Sequence, residues 1–344
     1  MYYFTSDYTE GCHPLLGERL MATNLEQTNG YGDDPYSHQA RQLIKKACGR
    51  DEVAVHFCIG GTQTNLTVIC AALRPFQGVF ATVPAHINTH EAGAIERTGH
   101  KVLALPSTDG KLTAEQVAAA YLSYAHDPNR EHWVQPKMVY LSQPTEIGTM
   151  YSKAELTALA TVCRQYELYL FVDGARLGYA LAADTNDLSL ADLANLCDVF
   201  YIGGTKCGAL FGEAVVISNP ALRSDFFTIM KQGGAVLAKG RLLGLQFQTL
   251  FTDNLYHKIC RHGIDMAMLV RDAIAAKGLP VVTVSPTNQQ FPIFPAQMLA
   301  ELSKNFVFAP WETYGEDALA VRICTSWATE EKQVHAFIKA LQAY

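Results

Sequence analysis

Two stretches of the sequence end a run of apolar, β-prone residues abruptly in a charged one. They are Leu168-Tyr-Leu-Phe-Val-Asp173-Gly-Ala-Arg176 and Asp198-Val-Phe-Tyr-Ile-Gly-Gly-Thr205-Lys206-Cys-Gly208. An open parallel sheet binds ligands at the carboxyl ends of its strands, so an acid and a lysine delivered there would face one ligand. That pair suits pyridoxal phosphate: the amine forms a Schiff base with the aldehyde, and the carboxylate keeps the pyridine nitrogen protonated so that the ring accepts electrons. Read alone, Asp173 also suits a helix cap and Lys206 an ordinary surface lysine. Glycines at 203, 204 and 208 argue against the plain surface position, because they permit close backbone approach.

A second constellation, Ile59-Gly60-Gly61-Thr62-Gln63-Thr64-Asn65, follows an expected strand and opens an expected helix. Backbone donors and the positive end of the helix dipole would hold a phosphate there, although such a start is also often only a cap. It is neither Gly-x-Gly-x-x-Gly nor Gly-x-x-x-x-Gly-Lys-Ser/Thr, so dinucleotide and P-loop readings lose support. His86, taken alone in its Pro84-Ala-His86 turn, reads more often as a structural histidine.

Positioning these groups requires a sheet. From about residue 50 to residue 220, short β-rich runs alternate with longer helical patterns, as in a mostly parallel sheet covered on both faces. Seven strands are expected, at 53–58, 79–83, 102–105, 138–141, 168–172, 199–202 and 213–217. Several are apolar at consecutive positions, as in buried parallel strands. Thr113-Ala-Glu-Gln116 and Ser152-Lys-Ala-Glu155 each fit a capping box ahead of an apolar periodic run. Residues 237–277 read as one long helical stretch. The remainder reads strand, strand, helix, strand, strand, helix, ending with Val334, Phe337, Ile338 and Leu341 on one helical face. The first twenty or so residues, and 27–37, read as irregular arms of the kind that cross a subunit interface. The expected organisation is an arm over 1–40, a large α/β domain over 41–245 and a small α+β domain over 246–344.

Composition narrows the function classes. The chain has 344 residues, 49% hydrophobic and 17% charged, enough to bury a large core. A net charge of −6 and a pI near 6.0 give no basic surface for nucleic acid. Nine cysteines, without a Cys-x-x-Cys pair, fit a reducing cytoplasm better than a disulfide framework. No segment reads as a signal peptide or a membrane span, and no metal site is expected.

Taken together, these segments resemble the threonine aldolase and β-eliminating lyase family of fold-type-I pyridoxal-phosphate enzymes, over nearly the whole chain. Phe4-Thr-Ser6-Asp7-Tyr8 resembles the family's N-terminal Ser-Asp motif, Tyr31-Gly-Asp-Asp-Pro35 its Tyr-Gly-Asp/Glu-Asp motif, and Gly61-Thr62 its phosphate-binding turn. His86-Ile-Asn-Thr-His-Glu-Ala-Gly93 resembles the cofactor-stacking segment. Phe171-Val-Asp-Gly-Ala-Arg176, Gly204-Thr-Lys206 and Val321-Arg-Ile-Cys-Thr-Ser326 resemble the Asp-Gly-Ala-Arg, lysine and late arginine motifs. His90 and Gln143-Pro-Thr-Glu146 depart from the forms familiar in one branch, and both departures touch the substrate side.

The resemblance implies a fold-type-I transferase-like fold with pyridoxal 5′-phosphate on Lys206. It implies Asp173 against the ring nitrogen, His86 over the ring, and Gly61, Thr62 and Gln63 at the phosphate. Arg176, bordering cofactor and substrate, would grip the substrate carboxylate with Arg322 and Ser6. Tyr31 and His90 would stand on the substrate side. Lys231 and Lys239 resemble the region that supplies a basic group to the phosphate from a neighbouring subunit, with Lys239 the expected ligand. His86 and His132 are the candidate bases. The implied reaction cleaves the Cα–Cβ bond of L-threonine, L-allo-threonine and related β-hydroxy amino acids to glycine and an aldehyde, in a homodimer or homotetramer with active sites at the interface. β-Elimination or racemisation on the same cofactor is the nearest alternative. A non-catalytic binding protein is the alternative from another class.

Overall fold

The computed structural model describes residues 1–315 and 317–344. Its strands are, in chain order, β1 Tyr2–Tyr3, β2 Ala54–Cys58, β3 Gln77–Thr82, β4 Lys101–Leu105, β5 Gln135–Ser142, β6 Tyr169–Asp173, β7 Val199–Gly203, β8 Glu213–Ile217, β9 Gln289–Gln290, β10 Ile293–Pro295, β11 Phe306–Val307, β12 Ala309–Tyr314 and β13 Ala318–Cys324. Seven of them form the expected large sheet, in the order β2-β8-β7-β6-β5-β3-β4. Every pairing in it is parallel except the two made by β8.

Apolar residues at consecutive strand positions feed two cores, because successive side chains point to opposite faces. Val139, Leu141, Leu170, Val172, Phe200 and Ile202 enter the core on one face. Met138, Tyr140, Phe171, Val199 and Tyr201 enter the core on the other. Both expected capping boxes form, at the helices Ala114–Ala125 and Lys153–Gln165. A third, Ser189 with Asp192, starts the helix Leu190–Leu196.

Two expectations need correction. The stretch 237–277 is two helices, Arg241–Leu250 and Leu255–Ala276, and both Asp253 and Asn254 between them have positive φ. The N-terminal segment is not irregular throughout. Pro14–Ala22 is helical, and the helix Pro35–Cys48 begins inside the expected 27–37 arm. Strand β1 pairs in parallel with β11, while Phe4 is fully buried in a third core with Val270, Phe294, Ile323 and Phe337. The first residues are thereby tied to the C-terminal α+β unit, in which β13 lies between β10 and β12 and also pairs with β9.

Candidate active site

Strands β5, β6 and β7 end at Ser142, Asp173 and Gly203 on one edge of the sheet. Because β8 runs the other way, its first residue, Glu213, reaches the same edge and stands opposite both Cys58 and Gly203. The turns after β6 and β7 touch: Gly203 N donates to Gly174 O at 2.9 Å. A Cβ on Gly203 would collide with the Ala175 carbonyl, and one on Gly174 with the Tyr201 carbonyl. These glycines let Asp173 and Lys206 converge. Both line one cleft of about 320 Å³ with Tyr8, Gly60, Gly61, Thr62, His86, Ser142, Glu146, Arg176, Tyr201 and Glu213.

Asp173 receives four donors. Tyr140 Oη lies 2.6 Å and Asn65 Nδ2 3.0 Å from Oδ2, while Oδ1 accepts from Tyr201 Oη and, at 3.0 Å, from Ala175 N. Burial, the largest influence, would raise its pKa, but the Tyr140 and Tyr201 hydroxyls, the His86 charge and the Ala175 amide together hold the carboxyl below its ordinary 3.8. The Lys206 amine is shifted down from 10.5, first by burial and next by the Arg176 charge. The site thus pairs an ionised acid with an amine disposed to lose its proton. Glu213 accepts from Thr205 Oγ1 at 2.9 Å and Gly204 N at 3.1 Å, and burial pushes it up to about 8.

The helix Gly61–Ala72 opens directly into the cleft, and no side chain caps it. Its first amides have no partner within the helix and form an anion seat. Gln63 is turned elsewhere: its Oε1 accepts from Ile59 N at 3.1 Å and its Nε2 lies 3.5 Å from Gly234 O. On the opposite wall, Glu146 Oε1 accepts from Ser142 Oγ at 2.7 Å and His86 N at 2.9 Å. Burial raises its pKa.

Arg176 is more committed than the sequence suggested. Its Nε and Nη2 grip both oxygens of Asp7, at 2.7 and 3.0 Å, and Asn288 Nδ2 adds a bond of 2.9 Å to the same acid. The two hydrogens of Nη1 and the second hydrogen of Nη2 remain for a substrate carboxylate. Arg322 donates from Nη2 to Thr5 O at 2.8 Å, and its Nε is buried without a partner. His90 is exposed, with its ring centroid 5.6 Å from that of His86. Burial, then the His86 and Arg322 charges, lowers its pKa. Ser6 is buried beside Asp7.

Seven expected residues do not line the cleft of their own chain: Ser6, Gln63, His90 and Arg322, described above, and His132, Tyr31 and Lys239. His132 is exposed in the short turn Arg130–His132 before β5, at the end of that strand opposite Ser142. A strand of eight residues separates the two ends by about 25 Å, so His132 cannot serve its own cleft as a base. Tyr31 and Lys239 are exposed, Tyr31 N donates to Ala238 O at 3.0 Å, and Lys231 Nζ lies 4.4 Å from the centre of the Tyr31 ring. Sequence reading gave no role to Asp7, Tyr8, Asn65, Glu91, Tyr140, Tyr201 and Glu213, although Asp7, Tyr8, Asn65, Glu91 and Tyr201 stand inside the motifs quoted above. A tyrosine inside each of the apolar runs of β5 and β7 was the available signal for two of them.

The residues fit pyridoxal phosphate. They supply an interior amine, an acid held ionised for a ring nitrogen, an uncapped helix start for a phosphate, and an imidazole lining the same cleft. The family model for β-eliminating lyases matches residues 4–294. A low specificity L-threonine aldolase of Pseudomonas aeruginosa is 29% identical, covering 98% of this chain and 96% of the relative. One of Saccharomyces cerevisiae is 26% identical, covering 79% and 70%. Among solved structures, the threonine aldolase of Leishmania major superposes with a TM-score of 0.97 at 44% identity, covering 100% of this chain and 99% of that one. An aspartate aminotransferase of Thermus thermophilus, at 17% identity and a TM-score of 0.71, shares the fold.

Proposed function

The chain belongs to the β-eliminating lyase family, and from that premise we propose that it is an aldolase cleaving L-threonine, L-allo-threonine and related β-hydroxy amino acids to glycine and an aldehyde. The observation that carries this reading is the convergence of Lys206, Asp173 and His86 on one cleft. Pyridoxal 5′-phosphate bound there supplies an electron sink for the pair released when Cα–Cβ breaks.

The protein's own residues do the rest. Lys206 offers an amine shifted toward its neutral form as nucleophile. Asp173, already ionised, would keep the ring nitrogen protonated. Gly61 and Thr62 would hold the phosphate through their amides. Arg176 Nη1, Arg322 and Ser6 would fix the substrate carboxylate. His86 takes the proton from the β-hydroxyl as the aldehyde leaves, and a proton delivered to Cα completes glycine. Glu146, buried and shifted toward its neutral form, anchors the His86 backbone and lines the same cleft.

The same proposal makes the protein a homodimer or homotetramer in which Tyr31 and Lys239 serve a neighbouring chain's cleft. Nine unpaired cysteines support a reducing, cytoplasmic setting. Among the described residues no helix is long and apolar enough to cross a membrane.

The test incubates purified holoprotein with threonine and allo-threonine of both hands. Acetaldehyde and glycine in equal amounts, from the L forms, are expected. Release of ammonia and a keto acid would indicate β-elimination, and inversion at Cα with the carbon skeleton intact would indicate racemisation; either result replaces the aldolase reading.

A further inference from the structure

Behind His86 the chain buries an acid that the proposed reaction does not use. Glu91 follows the short helix His86–Thr89, and its side chain is entirely shielded from solvent. Its Oε1 lies 2.8 Å from His86 Nδ1 and 2.7 Å from Asn65 Nδ2. The same amide nitrogen lies 3.0 Å from Asp173 Oδ2. Glu91 Oε2 and Asn65 Oδ1 are buried and have no partner.

These contacts determine where the protons sit. The Asn65 amide has two hydrogens and two carboxylate oxygens in reach, so it gives one to Glu91 and one to Asp173. A carboxylate only accepts, so His86 Nδ1 carries a hydrogen and the ring's lone pair lies on Nε2. Nδ1 is turned to the buried acid, and His86 lines the cleft.

We infer that Glu91 is a positioning residue that holds His86 as the Nδ1–H tautomer and, with Asn65, locks the imidazole and Asp173 into one hydrogen-bonded frame. Two consequences follow for the proposed cleavage, on which this inference rests. The nitrogen facing the substrate is always the one able to accept a proton. Once Nε2 has taken the hydroxyl proton, the resulting imidazolium faces an acid already hydrogen-bonded to it. The frame also fixes the spacing between the group over the ring and the group at its nitrogen, because one asparagine amide contacts both acids. A carboxylate without full pairing is costly to bury, and Glu91 is kept in place although one oxygen makes no hydrogen bond.

The experiment uses full-length holoprotein with Glu91→Gln and Glu91→Ala. Long-range nitrogen–proton NMR on 15N-histidine-labelled protein, with His86→Asn for assignment, reads the tautomer directly. The wild type is expected to show Nδ1–H at His86, and Glu91→Ala a mixture of both forms. Both variants are expected to keep the borohydride-reducible cofactor band. They should lose about 100-fold or more in kcat for threonine, with KM changed only a few-fold. Formate, a carboxylate small enough for the vacated space, should restore part of the activity of Glu91→Ala and none of that of Glu91→Gln. Nε2–H in the wild type, unchanged kcat in both variants, or loss of the cofactor band together with activity would overturn the inference. If the wild type does not cleave threonine, the functional reading fails, whereas the tautomer measurement still decides the role of Glu91.

Discussion

Arg176 and Asp7 form a bidentate pair in which the acid is completely buried and the guanidinium nearly so. Burial pushes the Asp7 carboxyl up, but the Arg176 charge, then that of Lys206, outweighs it and leaves the pKa below 3.8. A depressed acid contributes stability that is present above its unfolded value and lost as pH falls through the folded one. Removing one partner strands the other charge in the interior. Asp7→Asn should therefore cost about 3–5 kcal/mol in chemical denaturation at neutral pH, with the deficit shrinking below pH 3.8. An unchanged denaturation midpoint would show the pair to be without net effect. Glu213 behaves in the opposite sense. Its folded pKa, about 8, lies above the ordinary 4.5, so its contribution is full below 4.5 and is lost as pH rises through about 8. Cofactor-free wild type should lose stability relative to Glu213→Gln across that window, and parallel pH–stability curves would refute the assignment. Asp173 and Lys206 were legible in the sequence because each ends an apolar run in a charge. Asp7 and Glu213 were not, since one acts through a partner 169 residues away and the other depends on a strand reversing direction.

The elements legible in the sequence were those whose signals are local. Apolar runs marked the seven large strands, and Ser152 with Glu155 marked the start of the helix Lys153–Gln165 through contacts only three residues apart. The split at 251–254 was hidden because both flanking helices bury apolar faces in the same core, so the periodicity continues across the turn. The polar trio Thr252-Asp253-Asn254 was its only sign, and Asp and Asn are the residues that best tolerate a positive φ. Strands β1 and β11 are two residues each and exist only by pairing with one another, which no local pattern can announce. The helices Pro35–Cys48 and Arg241–Leu250 pack so closely that a Cβ on Gly244 would overlap Ser37, whose backbone N is bonded to the Asp34 cap at 2.8 Å. Gly244→Ala gains helix propensity but forces this contact apart. A net loss of about 1–3 kcal/mol is expected, at unchanged dependence on denaturant. A more stable variant would mean that the two helices can separate freely.

At the scale of the whole molecule, one sheet edge gathers Lys206, Asp173 and Glu213, while Tyr31, Lys231 and Lys239 are exposed and do not line that cleft. In the proposed homodimer, such a lysine would be offered to another chain's cleft. The segment around Tyr31 is built to be offered as a unit. Arg241 fastens it through the Glu26 and Thr23 carbonyls, at 2.8 and 2.9 Å, and Tyr31 N is bonded to the loop that carries Lys239. Shared clefts of this kind have an arithmetical consequence. Lys206→Ala and Lys239→Ala should each be nearly inactive alone, because every cleft then lacks one of its two lysines. In a mixed dimer one cleft lacks both and the other is intact. Random pairing makes about half the dimers mixed, so co-expressed variants should regain about a quarter of wild-type activity. Activity no greater than the sum of the two variants alone, with mixed dimers present, would confine each cleft to a single chain.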